Sequence, residues 1–191
     1  MQEYIKESIA LEEALAKDQQ LAIFFPSVVD KVFRALQAGN KVLVAGNGGS
    51  AADAQHFAAE FVGKYKMKRV AYPAIALTTD TSMLTAWSND EGFDGVFERQ
   101  VEALGKAGDV FFGISTSGNS ENIIRAIKAA KQKKVIAIAL LGGDGGRTKG
   151  MADLEFIVPS KNTPRVQEAH TLILHSIAEE VEKRMSGAAG R

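Results

Sequence analysis

Apolar segments of strand length alternate along the chain with longer segments in which apolar residues recur at helical spacing. The predicted strands are KVLVA (41–45), PAIAL (73–77), DVFFGI (109–114), KVIAIAL (134–140) and LEFIV (154–158). The predicted helices cover residues 3–16, 20–38, 50–63, 94–104, 119–132 and 163–185. The strands are apolar throughout rather than at every second position, which is typical of strands buried on both faces. The pattern therefore predicts an α/β fold with a doubly wound, five-stranded parallel sheet.

The pattern also predicts a single domain over residues 1–191. Two helices within residues 1–38 precede the first strand, and no linker rich in Pro, Ser or Gly divides the chain. Only the ending SGAAGR (186–191) has the composition of a disordered tail.

Composition narrows the function classes. Of the 191 residues, 46% are hydrophobic and 24% are charged, with a formal net charge of +0 and no cysteine. A balanced charge argues against nucleic acid or a membrane surface as the partner, and the lack of cysteine excludes thiolate metal sites and a thiol nucleophile. The start MQEYIKESIALEE lacks the apolar core of a signal peptide, and no segment is apolar enough to span a membrane. We therefore expect a cytoplasmic protein with a small-molecule ligand.

Ligands of open parallel sheets bind at the carboxyl ends of the strands, so the loops that follow the strands are the places to inspect. After the first predicted strand comes GNGGSA (46–51), after the third STSGNSEN (115–122) and after the fourth GGDGGR (142–147). The first of these lacks the Lys of a P-loop, and Ala51 stands where the dinucleotide motif needs a third glycine. No nucleotide cofactor is therefore expected.

The loop 115–122 carries more hydroxyls than helix capping requires. An N-cap needs one hydroxyl, whereas this loop has four in six residues: Ser115, Thr116, Ser117 and Ser120. A helix follows, and its free N–H groups and positive dipole end favour an anion. We expect a phosphate held by neutral donors, and hence a phosphorylated small molecule.

Three stretches together carry a resemblance to a known family: GNGGSAADAQHFAAEFVGKY, ISTSGNSENIIRAI and TPRVQEAHTLILH. In this order and at these separations they resemble the sugar isomerase (SIS) domain, and within it the phosphoheptose isomerases, also called sedoheptulose 7-phosphate isomerases. The resemblance spans about residues 1–185. It implies a flavodoxin-like fold and a homotetramer with active sites between subunits. It also implies conversion of D-sedoheptulose 7-phosphate to D-glycero-D-manno-heptose 7-phosphate, the first step of ADP-heptose biosynthesis, which supplies the lipopolysaccharide core.

The resemblance also assigns roles to individual residues. It implies that the substrate is bound by Asn47, Gly48, Gly49, Ser50, Glu60, Asn89, Asp90, Ser115, Thr116, Ser117, Ser120 and Gln167. It implies that Glu60 and His175 are the catalytic acid/base pair. The zinc ligands described for part of the family match His56, Glu60, Gln167 and His175, with one Zn²⁺ per subunit. Two positions depart from some members: Lys64 replaces an Arg, and Pro164 replaces an Asp.

The chemistry of these residue types is consistent with the implied reaction. Moving a carbonyl from C2 to C1 requires a proton to be taken from one carbon and returned to the other, and a carboxylate and an imidazole suit that task. Glu60 lies four residues after His56, so both belong to one helix face. If zinc binds, Glu60 acts as ligand and base at different moments, or the metal acts as a Lewis acid. The sequence leaves both alternatives open.

Other residues carry no functional assignment. We expect His170 to be structural, and Met83 and Trp87 to belong to the core or an interface.

Two other functions are compatible with an SIS domain. The DnaA initiator-associating proteins are non-catalytic tetrameric adaptors, in which uncharged residues replace the glutamate and the final histidine, so Glu60 and His175 favour an enzyme. Arabinose 5-phosphate isomerases usually carry extra regulatory domains, for which 191 residues leave no room.

Overall fold

The computed structural model describes residues 1–189, and in that range it has seven α-helices and one five-stranded sheet. The helices are α1 (Gln2–Leu15), α2 (Gln19–Gln37), α3 (Gly49–Val62), α4 (Thr81–Asp90), α5 (Val96–Leu104), α6 (Glu121–Gln132) and α7 (Thr163–Ala189). The strands are β1 (Val42–Gly46), β2 (Ala74–Ala76), β3 (Val110–Ser115), β4 (Ile136–Gly142) and β5 (Leu154–Val158). Short 3₁₀ turns occupy Phe93–Gly95 and Gly146–Thr148.

All strand pairs are parallel, in the order β2-β1-β3-β4-β5. This confirms the predicted doubly wound sheet, and the order is that of flavodoxin-like folds. Because β1 and β4 both pair with β3, the loops that follow these three strands lie side by side. The candidate ligand-binding loops therefore share one edge of the sheet.

The side chains of each inner strand divide between two hydrophobic clusters, one on each face of the sheet. In β1, Val42 and Val44 belong to the cluster formed with α2, α3 and α7. Leu43 and Ala45 belong to the cluster formed with α5 and α6. Burial on both faces explains why these strands are apolar throughout. Within the described range, no helix is both long and apolar enough to cross a membrane.

Helix α4 was not predicted. Its sequence TSMLTAWSND contains three Ser or Thr residues in its first five positions and has no buried residue, so it lacks an apolar periodicity. The Asp80 carboxylate accepts a hydrogen bond from the Met83 backbone N–H at 3.0 Å and caps the helix. Such an acidic N-cap is the sequence signal that identifies this element.

The predicted boundary of the last helix was wrong. Helix α7 continues to Ala189 rather than ending at residue 185, so the proposed tail 186–191 is helical over its first four residues. Alanine is the strongest helix former, and a single Gly187 is tolerated between Ser186 and the two alanines that follow it. The last two positions of the proposed tail lie outside the described residues. The predicted helix 94–104 likewise begins later, at Val96, after a 3₁₀ turn.

Candidate active site

The glycine loop (residues 46–50) and the hydroxyl loop (residues 115–122) meet at the carboxyl edge of the sheet. Gly46, at the end of β1, is paired with Ile114 of β3. The side chains of Asn47 and Asn122 join the two loops by a reciprocal pair of hydrogen bonds, in which each Nδ2 donates to the other Oδ1 at 2.9 Å. Asn122 is buried in the first turn of α6. The predicted ligand Asn47 is thereby fixed between the two loops.

The hydroxyl loop presents its side chains before the N-terminus of α6. The Oγ atoms of Ser115 and Ser120 lie 3.1 Å apart, and Ser117 Oγ accepts from the Asn119 backbone N–H at 3.2 Å. Ser120 occupies the N-cap position, yet its side chain caps none of the described backbone N–H groups of α6. This hydroxyl and the first-turn N–H groups are therefore arranged as donors for an anion.

The loop after β4 packs against the hydroxyl loop. Gly118 has a φ of +63°, and a Cβ there would lie 1.9 Å from the Gly145 carbonyl oxygen, so the position requires glycine. Thr148 Oγ1 donates to the Gly118 carbonyl at 2.7 Å, and the Arg147 backbone N–H donates to Asn119 Oδ1 at 3.0 Å. The GGDGGR segment thus acts as a structural support for the hydroxyl loop.

Two arginines balance the acidic residue at the start of α6. Glu121 accepts from Arg125 at 3.2 Å and pairs with Arg147 at 2.9 Å. The hydrogen bond from Arg125, together with Arg147, holds the pKa of Glu121 below its ordinary value. The negative charge beside the proposed phosphate position is therefore neutralised locally.

Three of the predicted metal and catalytic residues form one cluster. His56 Nε2 lies 3.0 Å from Glu60 Oε1 on α3, and 3.4 Å from His175 Nε2 on α7. The ligand atoms of all three residues lie within 4.8 Å of one another. The His56 side chain is 52% exposed and that of Glu60 is 17% exposed, so the cluster is open to a ligand.

The fourth predicted metal ligand, Gln167, lies against the first turn of α3. A Cβ built at Gly49 would come 2.4 Å from Gln167 Nε2, so the Gln167 amide lies directly against the start of this helix. Gln167 precedes His175 by eight residues, about 12 Å along α7. Its contact with the glycine loop fits the predicted substrate role, and its part in a metal set stays a prediction.

Asp53 is a polar residue of the site that the sequence did not single out. Its Oδ1 accepts from Thr171 Oγ1 at 2.9 Å, which joins α3 to α7 beside the cluster, and its Oδ2 is buried without a partner among the described atoms. Burial raises the pKa of Asp53, against the lowering effects of the Thr171 hydrogen bond and the two nearby histidines. Its position three residues before His56 is the signal that identifies it.

Asn89 and Asp90 are the last two residues of α4. This helix follows β2, whereas the glycine loop follows β1 and the hydroxyl loop follows β3. Asn89 Nδ2 donates to Asp90 Oδ1 at 2.8 Å, and both residues are exposed. Asp90 lines a cleft between α4 and α5 together with Trp87 and Arg99, whose guanidinium lies 5.2 Å from the indole centroid. Their predicted contact with the sugar chain stays a prediction.

The residues that were expected to be structural are confirmed as such. His170 is fully buried, and its Nε2 lies 3.0 Å from the Leu141 carbonyl oxygen. Burial lowers the pKa of His170 to about 4, so the ring is neutral at pH 7. Met83 and Trp87 pack against the cluster on the α5 and α6 face.

The two departures from the family pattern occupy exposed positions. Lys64 follows the end of α3, and Pro164 is the second residue of α7, where its missing N–H costs no helical hydrogen bond.

Comparisons with known proteins agree with this geometry. A family model described as the SIS domain matches residues 3–142. The phosphoheptose isomerase of Clostridium acetobutylicum is 54% identical over 183 residues, which cover 96% of this chain and 93% of that protein.

Two solved structures are similar over nearly the whole chain. The phosphoheptose isomerase of Neisseria gonorrhoeae superposes with a TM-score of 0.89 at 45% identity and covers 94% of this chain and 95% of its own. A phosphoheptose isomerase of Francisella tularensis superposes with a TM-score of 0.86 at 37% identity and covers 95% of this chain and 96% of its own.

Proposed function

Because the chain belongs to the phosphoheptose isomerase family of SIS-domain proteins, we propose that it converts D-sedoheptulose 7-phosphate to D-glycero-D-manno-heptose 7-phosphate. The observation that carries the proposal is the cluster of Glu60 with His56 and His175, because it provides a carboxylate and an imidazole at one place. The adaptor alternative is disfavoured, since it needs neither group. Incubation of the purified protein with sedoheptulose 7-phosphate, with the aldose product followed by NMR, tests the proposal.

The hydroxyl loop binds the phosphate in this proposal. Ser115, Thr116, Ser117 and Ser120 donate hydrogen bonds, and the N-terminus of α6 adds its dipole. Asn47, Gly48, Gly49 and Ser50 complete the pocket from the glycine loop, and Gln167 reaches it from α7. Binding at the phosphate holds the other end of the sugar chain for proton transfer.

Glu60 and His175 carry out the proton transfer. The Glu60 carboxylate takes the proton from C1 of the ketose, which leaves an enediolate, and the proton is returned to C2. When its ring nitrogen is not bound to a metal, the His175 imidazole donates to and accepts from the substrate oxygens as their charge changes. The open but partly shielded position of Glu60 fits a base that must reach a carbon-bound proton.

The donor set of the cluster fits a bound Zn²⁺. The Nε2 atoms of His56 and His175 lie 3.4 Å apart, and Glu60 Oε1 lies 3.0 Å from the same His56 nitrogen, so three atoms that can ligate a metal converge. Imidazole nitrogen and carboxylate oxygen are usual zinc ligands. We therefore propose that His56, Glu60 and His175 hold zinc. When bound, zinc supplies Lewis-acid stabilisation of negative oxygen.

Zinc binding leads to a measurable expectation. Protein purified without chelator is expected to carry up to one zinc per subunit by elemental analysis, and His56→Ala is expected to lower both occupancy and activity because it removes a central donor. Gln55→Ala, at the neighbouring exposed position on α3, is the control and should change neither. Full activity with negligible bound metal would exclude the zinc mechanism and leave Glu60 and His175 as the proton-transfer pair.

The phosphate site leads to a different kinetic signature. Ser117→Ala and Ser120→Ala each delete a hydrogen bond to a charged group, worth about 1.5–3 kcal/mol, in the ground state and the transition state alike. KM for the substrate is expected to rise about 10- to 100-fold with kcat little changed. Ser27→Ala, whose hydroxyl only donates to the Ile23 carbonyl within α2, is the control. A large loss of kcat at unchanged KM would contradict a simple binding role.

We also propose that the chain forms a homotetramer with active sites between subunits. Support comes from α1, which exposes Tyr4, Ile5 and Ile9 at 64%, 50% and 49%. Native mass spectrometry is expected to give a species of four times the 20.5 kDa chain mass, and Ile5→Asp with Ile9→Asp should give smaller species because charge opposes apolar packing. Lys6→Asp, at an exposed position of the same helix, is the control. A monomeric wild-type protein would contradict this proposal.

A further inference from the structure

A buried carboxylate of α7 holds the segment that follows α3. The Glu182 side chain is only 2% exposed and accepts hydrogen bonds from the backbone N–H groups of Tyr65 at 3.0 Å, Lys66 at 2.8 Å and Met67 at 2.9 Å. A fourth hydrogen bond comes from Arg69 Nε at 2.8 Å. Burial acts to raise the pKa of Glu182, but these hydrogen bonds together hold the pKa below its ordinary value. The carboxylate is therefore ionised and fully partnered.

Arg69 in turn holds the end of α3. Its side chain is 5% exposed; Nη2 donates to the Glu60 carbonyl at 2.6 Å, and Nη1 donates to the Phe61 carbonyl at 2.9 Å. Because α3 ends at Val62, these carbonyls belong to the last turn, which has no helical donors of its own. The guanidinium also stacks on the Tyr72 ring, 3.9 Å from the centroid. The guanidinium therefore contacts α3, Glu182 and Tyr72 at the same time.

The pair connects the two helices that carry the proposed proton-transfer groups. Arg69 binds the backbone of Glu60 itself. Glu182 follows His175 by seven residues, two turns along α7, and so lies on the same side of that helix. A continuous set of polar contacts therefore runs from the Glu60 backbone through Arg69 and Glu182 to the helix of His175.

We propose that Arg69 and Glu182 are positioning residues that set the distance between the Glu60 carboxylate and His175. This inference rests on the proposed function. A buried ion pair contributes little net stability compared with an apolar pair of the same size, so stability alone does not account for the Arg69–Glu182 pair. Proton transfer, by contrast, is sensitive to placement, since a displacement of about 1 Å can cost about 10²-fold in rate.

The chain contains a matched control in Asp109, whose side-chain partners lie outside α3 and α7. Asp109 is 1% exposed and precedes β3. Like Glu182, it accepts from backbone N–H groups, those of Lys41 at 3.0 Å and Lys106 at 2.8 Å, and it pairs with a cation, Lys41 Nζ, at 2.5 Å. Glu182→Gln and Asp109→Asn therefore remove the same kind of buried charge. The Glu182 charge is connected to α3 and α7, and the Asp109 charge is not.

The experiment compares these two variants with the wild-type protein. Both are expected to lower Tm. Glu182→Gln alone is expected to lower kcat for sedoheptulose 7-phosphate about 10- to 100-fold, at a KM within about twofold of wild type, because the phosphate loops are not displaced. It is also expected to weaken the zinc affinity, measured by chelator competition, about tenfold. Asp109→Asn should leave kcat per folded molecule, KM and zinc affinity unchanged.

A second variant keeps the test decisive if Glu182→Gln does not fold. Arg69→Lys retains the positive charge beside Glu182 but loses the planar fork that reaches two helix carbonyls, so it should reproduce the fall in kcat and zinc affinity. Wild-type kcat and zinc affinity in a folded Glu182→Gln or Arg69→Lys protein would overturn the positioning role. If the wild-type protein itself does not convert the substrate, the proposed function fails, and the zinc affinities of the variants then decide the positioning role alone.

Discussion

Glu60→Gln is expected to lower kcat about 10²- to 10⁴-fold, the usual contribution of a proton-transfer group. Glutamine keeps the shape of the side chain and an oxygen that faces His56, but it cannot take a proton from carbon. KM is expected to change little, because the phosphate is bound by the hydroxyl loop. Initial rates with sedoheptulose 7-phosphate, with metal content measured on the same samples, check this expectation.

Glu13→Gln is the control for that change. Glu13 is an exposed carboxylate on α1, so its neutralisation should leave kcat, KM and the fold unaltered. Near wild-type turnover by the Glu60 variant would remove Glu60 from the mechanism.

His175→Asn is expected to lower kcat by a similar factor, about 10²- to 10⁴-fold, because the variant loses the imidazole that exchanges protons with the substrate oxygens. The loss should remain when zinc is supplied in excess, since asparagine restores neither the proton transfer nor the ring nitrogen. Saturation kinetics at several zinc concentrations make the measurement.

His170→Asn, the same substitution five residues earlier on α7, gives the contrast. His170 is fully buried and bonded to the Leu141 carbonyl, so this variant should lower Tm while each folded molecule keeps its turnover. If His175→Asn lowered Tm but left kcat intact, as expected for His170→Asn, the catalytic role proposed for His175 would be wrong.

The fold was predictable because its signals are local. Strands buried on both faces are apolar throughout, and the bends between them carry Gly, Ser and Asn, so the parallel sheet could be deduced from sequence with errors of one or two residues at strand ends. Helix α4 was not predicted because it buries no side chain completely and so lacks an apolar pattern. Its Asp80 N-cap was the one strong local signal of a helix.

The site was predictable only in part. The four-residue spacing of His56 and Glu60 predicts neighbours on one helix face, and the 3.0 Å contact confirms it. His175 is 119 residues from His56, so no local pattern links them, and the resemblance to a family supplied that residue. Arg69 and Glu182 are 113 residues apart and both look like ordinary solvated charges in the sequence. Their pairing depends on how α3 packs on α7, which only the folded chain reveals.

The most direct test of the central claim is isomerisation in D₂O. Glu60 is partly exposed, so the proton it takes from C1 exchanges with solvent before a proton is returned to C2. NMR is expected to show that the wild-type protein forms D-glycero-D-manno-heptose 7-phosphate carrying deuterium at C2, and that Glu60→Gln forms neither product nor exchanged substrate. Product formation and deuterium exchange undiminished in the Glu60 variant would contradict proton transfer by this carboxylate.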